Sequence, residues 1–147
     1  MITRKTKYSL NALMHLVRNA KHGPILISEL AKKERIPKKF LELILLDLKN
    51  QGILKSKRGK GGGYSLARPP ELIRVGQIIR MMEGPLAPIP CVSETAYEKC
   101  EDCMDEASCG IRKVMKEVRD ASARILDNTT LFDLVSNSRK NTKKVKQ

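Results

Sequence analysis

Four cysteines, Cys91, Cys100, Cys103 and Cys109, fall inside 19 residues, and the other 128 positions hold none. Their spacing is C-x8-C-x2-C-x5-C. Thiolates clustered this tightly suit an iron-sulfur cluster or zinc, since both are well served by soft sulfur donors. A structural zinc site of four thiolates usually shows two C-x2-C pairs, and here only Cys100 and Cys103 form one. Spacing therefore leaves iron-sulfur and zinc open, with a thiol-only redox switch behind both. His15 and His22 lie far off in sequence and read as a helix-face residue and a loop residue, not as ligands. The charged start Met1-Ile2-Thr3-Arg4-Lys5 has no apolar segment behind it, so a reduced, cytoplasmic setting is expected. No run approaches the eighteen or so apolar residues of a membrane span.

Enzyme chemistry finds little support. A dithiol oxidoreductase built on Cys100 and Cys103 would want an electropositive setting, yet Glu94, Glu98, Glu101, Asp102, Asp105 and Glu106 surround them against Lys99 alone. No Ser/His/Asp set or paired-carboxylate site suggests a hydrolase. The expectation is that the chain is not an enzyme.

A second constellation is cationic. Residues 1–80 hold 18 Lys and Arg against 5 Asp and Glu, whereas residues 81–147 hold 11 of each, so the whole excess of +13 lies in the front half. Such asymmetry points to a polyanion, with double-stranded DNA ahead of an anionic membrane surface. The charge gathers at Lys38-Lys39, followed by Phe40 and Glu42, and at Lys57-Arg58-Gly59-Lys60 before three more glycines. A nucleotide-binding phosphate loop is disfavoured, because no Gly-Lys-Ser/Thr follows and the glycines run into a strand rather than a helix.

These residues need elements to hold them. Leu10, Leu13, Met14, Leu16 and Val17 recur at helical spacing and Gly23-Pro24 stops the pattern, giving a first helix over 6–20. Ser28 is placed to cap a short second helix over 29–34. Pro37 suits the start of a third, whose Leu41, Ile44, Leu45 and Leu48 face inward and which Gly52 ends. Lys38 and Lys39 in its first turn oppose the helix dipole, a penalty that a nearby phosphate would reverse. Lys38, Lys39 and Glu42 then face outward, and Phe40 either supports that face or touches a thymine methyl.

Residues 53–67 read as a β-hairpin around the glycine-rich turn, whose Arg58 suits a narrow minor groove. A helix with Val75, Ile78, Ile79 and Met82 on one face follows, then Pro85, Pro88 and Pro90, the cysteine loop, and a helix over 111–126. That helix carries Ile111, Val114, Val118, Ala121 and Ile125 as a coiled-coil-like seam, with Asp120 and Arg124 as an outer pair. The fold expected is mainly α with a small β-hairpin: a winged helix-turn-helix over 1–84, a cysteine-rich loop over 85–110, a dimerisation helix and cap over 111–135, and a disordered basic tail over 136–147. Thr130 with Asp133 would cap a last short turn.

The run Lys7-Tyr8, the segment Ile27-Ser28-Glu29-Leu30-Ala31, the Leu41-Glu42 stretch and above all Arg58-Gly59-Lys60-Gly61-Gly62-Gly63-Tyr64 resemble the bacterial IscR/NsrR/CymR superfamily of winged-helix transcription regulators. The resemblance covers roughly residues 1–135. It implies a homodimer through the helix 111–126, helix three in the major groove, the wing arginine in the minor groove, and repression as the sign of control. Carried over, it makes Lys38, Lys39, Glu42 and Arg58 the DNA-reading candidates; with the residues around them on the helix pair and the wing, the DNA-contacting candidates are Ser28, Lys38, Lys39, Phe40, Glu42, Lys57, Arg58, Gly59 and Lys60.

Cluster-sensing members resemble one another in three cysteines before the dimer helix, matched here by Cys91, Cys103 and Cys109. The gap from Cys91 to Cys103 is longer than usual, and Cys100 is extra. Where IscR-like members place a histidine after the third cysteine this chain has Arg112, and where NsrR-like members use an acidic residue near the N-terminus it has Tyr8. Cys100 then completes the set, for either a 2Fe-2S or a 4Fe-4S cluster.

Overall fold

The computed structural model describes residues 2–144, and side chains up to residue 138. Its elements are α1 (Arg4–Arg18), α2 (Ile27–Glu34), α3 (Lys38–Asn50), β1 (Leu54–Lys57), β2 (Gly63–Leu66), α4 (Val75–Glu83), α5 (Gly110–Asp127) and α6 (Leu131–Lys144), with short 3-10 turns at Ala20–His22, Pro70–Leu72 and Pro90–Val92. This is the expected mainly helical chain with one antiparallel hairpin. Leu54 is opposite Leu66 and Lys57 opposite Gly63.

Helix α1 is the hub, touching α2, α3, α4, α6 and β2. Its Ala12, Leu13 and Leu16 enter one aliphatic core with Leu30 of α2, Leu41, Ile44, Leu45 and Leu48 of α3, Ile53, Ile73 and Ile78. The inward stripe predicted for α3 is fully buried. Gly52 ends α3 in the left-handed region, φ +75. Its N–H meets the Lys49 carbonyl, and the next N–H, of Ile53, reaches back to Leu48. Paired closure of this kind satisfies the last carbonyls and turns the chain straight into β1.

Three sequence expectations change. Ser28 does not cap α2: Leu26 stands at the N-cap position with extended backbone, and Ser28 lies inside the first turn. The cause is upstream, where Ile25 exchanges backbone hydrogen bonds with Tyr64 at 2.9 and 2.8 Å, so the chain leaves the wing already positioned to start the helix at Ile27. Asp120 pairs with Arg119 at 2.5 Å, not with Arg124. Finally, the short last turn and disordered tail give way to a helix that continues to residue 144; residues 145–147 lie outside the described residues. Thr130 and Asp133 do form the expected reciprocal cap, Thr130 N–H to Asp133 Oδ2 at 2.9 Å and Asp133 N–H to Thr130 Oγ1 at 3.1 Å. Leu131 and Val135 are buried and Leu134 packs on the core, so tertiary contact nucleates the helix and propagation carries it onward.

Two side-chain ties anchor α4, one to the start of α1 and one to the end of α5. Glu83, the last residue of α4, accepts hydrogen bonds from the Thr3 N–H at 2.7 Å, from the Thr3 hydroxyl at 2.5 Å, and from the buried Thr6 hydroxyl. Arg80 of α4 grips Asp127 at the end of α5 through two bonds of 2.5 and 2.9 Å.

Candidate functional site

The predicted cationic residues fall on two exposed features. Lys38, Lys39 and Glu42 occupy the first turns of α3, and Lys57, Arg58, Gly59 and Lys60 form the tip of the hairpin. Among the described residues none of Lys38, Lys39, Lys57, Arg58 or Lys60 makes an ion pair, so their charge is not neutralised within the chain. Asp47, also on α3, is answered by Lys5 of α1 at 2.9 Å. Phe40 is half-buried and meets Tyr8 edge to face, centroids 5.7 Å apart, which places it behind the basic surface as support. Ser28 is exposed on a shallow surface it shares with Glu29, Lys32, Lys33 and Arg35. Arg35 takes a left-handed conformation, φ 54, at the turn between α2 and α3.

The wing depends on its glycines for two distinct reasons. The Gly62 N–H closes the turn on the Gly59 carbonyl at 3.0 Å. A β-carbon on Gly62 would lie 2.3 Å from the Lys57 carbonyl oxygen, and one on Gly63 would lie 2.3 Å from that of Ile25. Backbone thus passes where a side chain would be, and the compact loop can present Arg58 at its tip.

The helical wheel of α3 holds something the charge pattern concealed. Opposite its buried stripe run Lys39, Leu43, Leu46 and Asn50, and the two leucines are 61% and 48% exposed. The charge pattern points to Lys38, Lys39 and Glu42 and away from these two leucines. The available signal was their position outside the Leu41, Ile44, Leu45, Leu48 stripe.

The cysteine loop closes on the N-terminus of α5. Cys109 stands at the N-cap, its Sγ accepting the Arg112 N–H at 3.4 Å, while Arg112 Nε donates to the Cys91 carbonyl at 3.3 Å. One arginine therefore links the two ends of the loop. Cys103 N–H meets the Cys100 carbonyl at 3.1 Å. Desolvation, followed by the proximity of Cys109 and Glu106, pushes the Cys103 thiol above its ordinary pKa. Cys91 is buried, Cys103 and Cys109 are half-buried, Cys100 is exposed, and all four are free thiols. Among the described residues no three His, Cys, Asp or Glu side chains are arranged to hold a metal ion. His15 pairs with Glu34 at 2.7 Å, far from the thiols in the chain.

From the loop, two contacts lead onward. Arg119 of α5 donates to the Val92 carbonyl at 2.5 Å, and Arg80 with Asp127 joins the far end of α5 to α4. Helix α5 has no buried residue, and Ile111, Val114, Val118 and Ile125 all lie exposed along it.

A helix-turn-helix followed by a glycine-tipped hairpin defines a winged helix-turn-helix regulator. The chain belongs to the Rrf2 family, whose model, described as an iron-dependent transcriptional regulator, matches residues 2–137. An rrf2-like HTH-type transcriptional regulator of Rhodobacter capsulatus is 44% identical over 139 residues, covering 92% of this chain and 93% of that one. Two solved structures share the fold. CymR of B. subtilis, the global cysteine regulator of that organism, has TM-score 0.78 and 34% identity over 93% of this chain and 97% of its own. IscR of T. potens has TM-score 0.74 and 27% identity over 94% and 88%. The protein is thus a transcriptional regulator of the HTH type and not an enzyme, and among the described residues no helix is long and apolar enough to cross a membrane.

Proposed function

We propose that this regulator is a cytoplasmic homodimeric repressor whose affinity for double-stranded DNA is set by an iron-sulfur cluster on its cysteine loop. The observation that carries the proposal is the position of Arg112, whose main chain contacts Cys109 Sγ and whose side chain contacts the Cys91 carbonyl, so that the loop is clasped to the start of α5. The donor chemistry fits: Cys91, Cys100, Cys103 and Cys109 are free, soft and confined to this loop. Among the described residues no three donors are already arranged around a metal ion, so the loop would rearrange to bind the cluster. When bound, the cluster supplies a cross-link that is sensitive to redox state and to iron.

The chain's own residues do the rest. Lys38, Lys39 and Glu42 face the major groove; Lys57, Arg58 and Lys60 approach the minor groove or its phosphates, with Gly59 letting the backbone come close; Ser28 faces the backbone from α2. The exposed seam Ile111, Val114, Val118 and Ile125 packs against its counterpart in a second copy. A change at the loop is passed through Arg112 and Arg119 to α5, and through Asp127 and Arg80 to α4. Two half-sites lie about 34 Å apart on DNA, so a small change in the spacing of the two α3 helices alters affinity.

The likeness to a cysteine regulator favours a second reading: a cluster-free thiol switch, or a structural zinc site. Anaerobic purification with a visible spectrum and iron, sulfide and zinc analysis separates them. A coloured protein with matched iron and sulfide, lost in Cys103→Ser, supports the cluster. A colourless protein with one zinc per chain, or with neither metal after reconstitution, overturns it in favour of the alternatives.

A further inference from the structure

Helix α3 exposes two large apolar side chains where a basic surface would be expected to be polar. Leu43 is 61% and Leu46 48% exposed, on the side of the helix opposite its buried stripe. They follow Lys39 at one and nearly two helical turns, and Glu42 flanks them. A pair of leucines left in water on a folded domain calls for an occupant.

The surroundings choose among occupants. A second copy docking here would bring two sets of unpaired Lys38 and Lys39 together, and two leucines offer far less surface than the roughly 1,000 Å² a specific protein interface needs. DNA meets both demands: phosphates answer the lysines, and the major groove carries one apolar group of its own, the C5-methyl of thymine.

We propose that Leu43 and Leu46 are specificity residues that read thymine methyl groups in the operator. The inference rests on α3 being the helix that enters the major groove. Lys38 and Lys39 hold the helix to the backbone, Glu42 is available to a cytosine amino group, and the leucines favour A·T pairs whose thymine lies beneath them. Half-sites should therefore carry thymines at fixed offsets from the position that Glu42 contacts.

The test uses the full-length protein, purified anaerobically, and a randomised duplex library. Sites enriched by the wild type are resynthesised with deoxyuridine in place of each recurring thymine, which removes the methyl and leaves the base pair intact. Wild-type affinity should fall about fourfold for each methyl that a leucine contacts. Leu43→Ala and Leu46→Ala should each lose that sensitivity at one position, with helical content unchanged by circular dichroism. Equal binding of thymine and deoxyuridine duplexes by the wild type overturns the proposal. So does undiminished sensitivity in both variants, or a change in self-association without a change in discrimination. A wild type that enriches no sequence at all removes the assignment of α3 as the reading helix, a failure distinct from the others.

Discussion

Arg80 and Asp127 form a two-pronged ion pair, 2.5 and 2.9 Å, across the junction between the DNA-binding unit and α5. The Arg80 hydrogen bond holds the Asp127 carboxyl below the usual range. Because its folded pKa is depressed, the pair stabilises the fold above the ordinary carboxylate pKa of about 4 and loses that effect as pH falls through the folded value. The side chains are 40% and 42% exposed, so screening limits the contribution to about 1 kcal/mol or less. Asp127→Asn should lower stability by up to that amount at pH 7 and flatten the acid limb of the stability profile, measured by urea unfolding at several pH values.

Gly76 lies beneath this pair, where an added β-carbon would be 2.1 Å from Asp127 Oδ1. Gly76→Ala alone should gain little of the roughly 1 kcal/mol that alanine is worth over glycine inside a helix, because it displaces Asp127 from Arg80. In an Asp127→Ala background the same change should stabilise by up to about 1 kcal/mol. A double-mutant cycle reads the coupling between the two positions directly.

The wing offers a graded comparison. Gly63 has φ +137 and its β-carbon would meet backbone, whereas Gly61 has φ +71 and open space around it. Gly63→Ala should cost about 2 kcal/mol or more and disrupt the Ile25 to Tyr64 bridge, while Gly61→Ala should cost about 1 kcal/mol. Thermal unfolding ranks the two; equal costs would show that the close approach of Ile25 is not rigid.

Arg58 stands exposed at the wing tip with no ion-pair partner among the described residues. Arg58→Ala should weaken DNA binding and reduce the magnitude of the slope of log affinity against log salt by about one. Fluorescence anisotropy at four salt concentrations measures both, and an unchanged slope removes Arg58 from the interface.

Val118 sits in the middle of α5, 44% exposed within the apolar seam. Val118→Asp would set two carboxylates against each other across a two-fold interface, so the protein should shift to monomer in sedimentation equilibrium. A dimer that persists at micromolar concentration would locate the interface elsewhere.

How legible these features were depended on whether each was encoded locally. The α3 core stripe, the Gly52 stop, the hairpin and the Thr130–Asp133 cap rest on spacing or turn chemistry within a few residues, and each is found where the sequence places it. The start of α2 was missed because it is decided by the Ile25–Tyr64 bridge, whose partners are 39 positions apart. The continuation of α6 depends on packing against α1, which no property of a lysine-rich tail reveals. In the cysteine loop, spacing disclosed the donors but not the role of Arg112, whose bond to the Cys91 carbonyl spans 21 residues. The exposed leucines of α3 were hidden because apolar residues in a helix are read first as core.

The grip of Glu83 on Thr3 has a practical side. Because the carboxylate holds the Thr3 main chain and two threonine hydroxyls, and Ile2 shares a groove with Leu86, Ser122 and Leu126, the front end of the chain emerges beside α5. An affinity handle or fluorescent protein fused there would be delivered to the flank of the pairing helix. Any oligomeric state measured on protein with an N-terminal fusion should be rechecked after the fusion is cleaved.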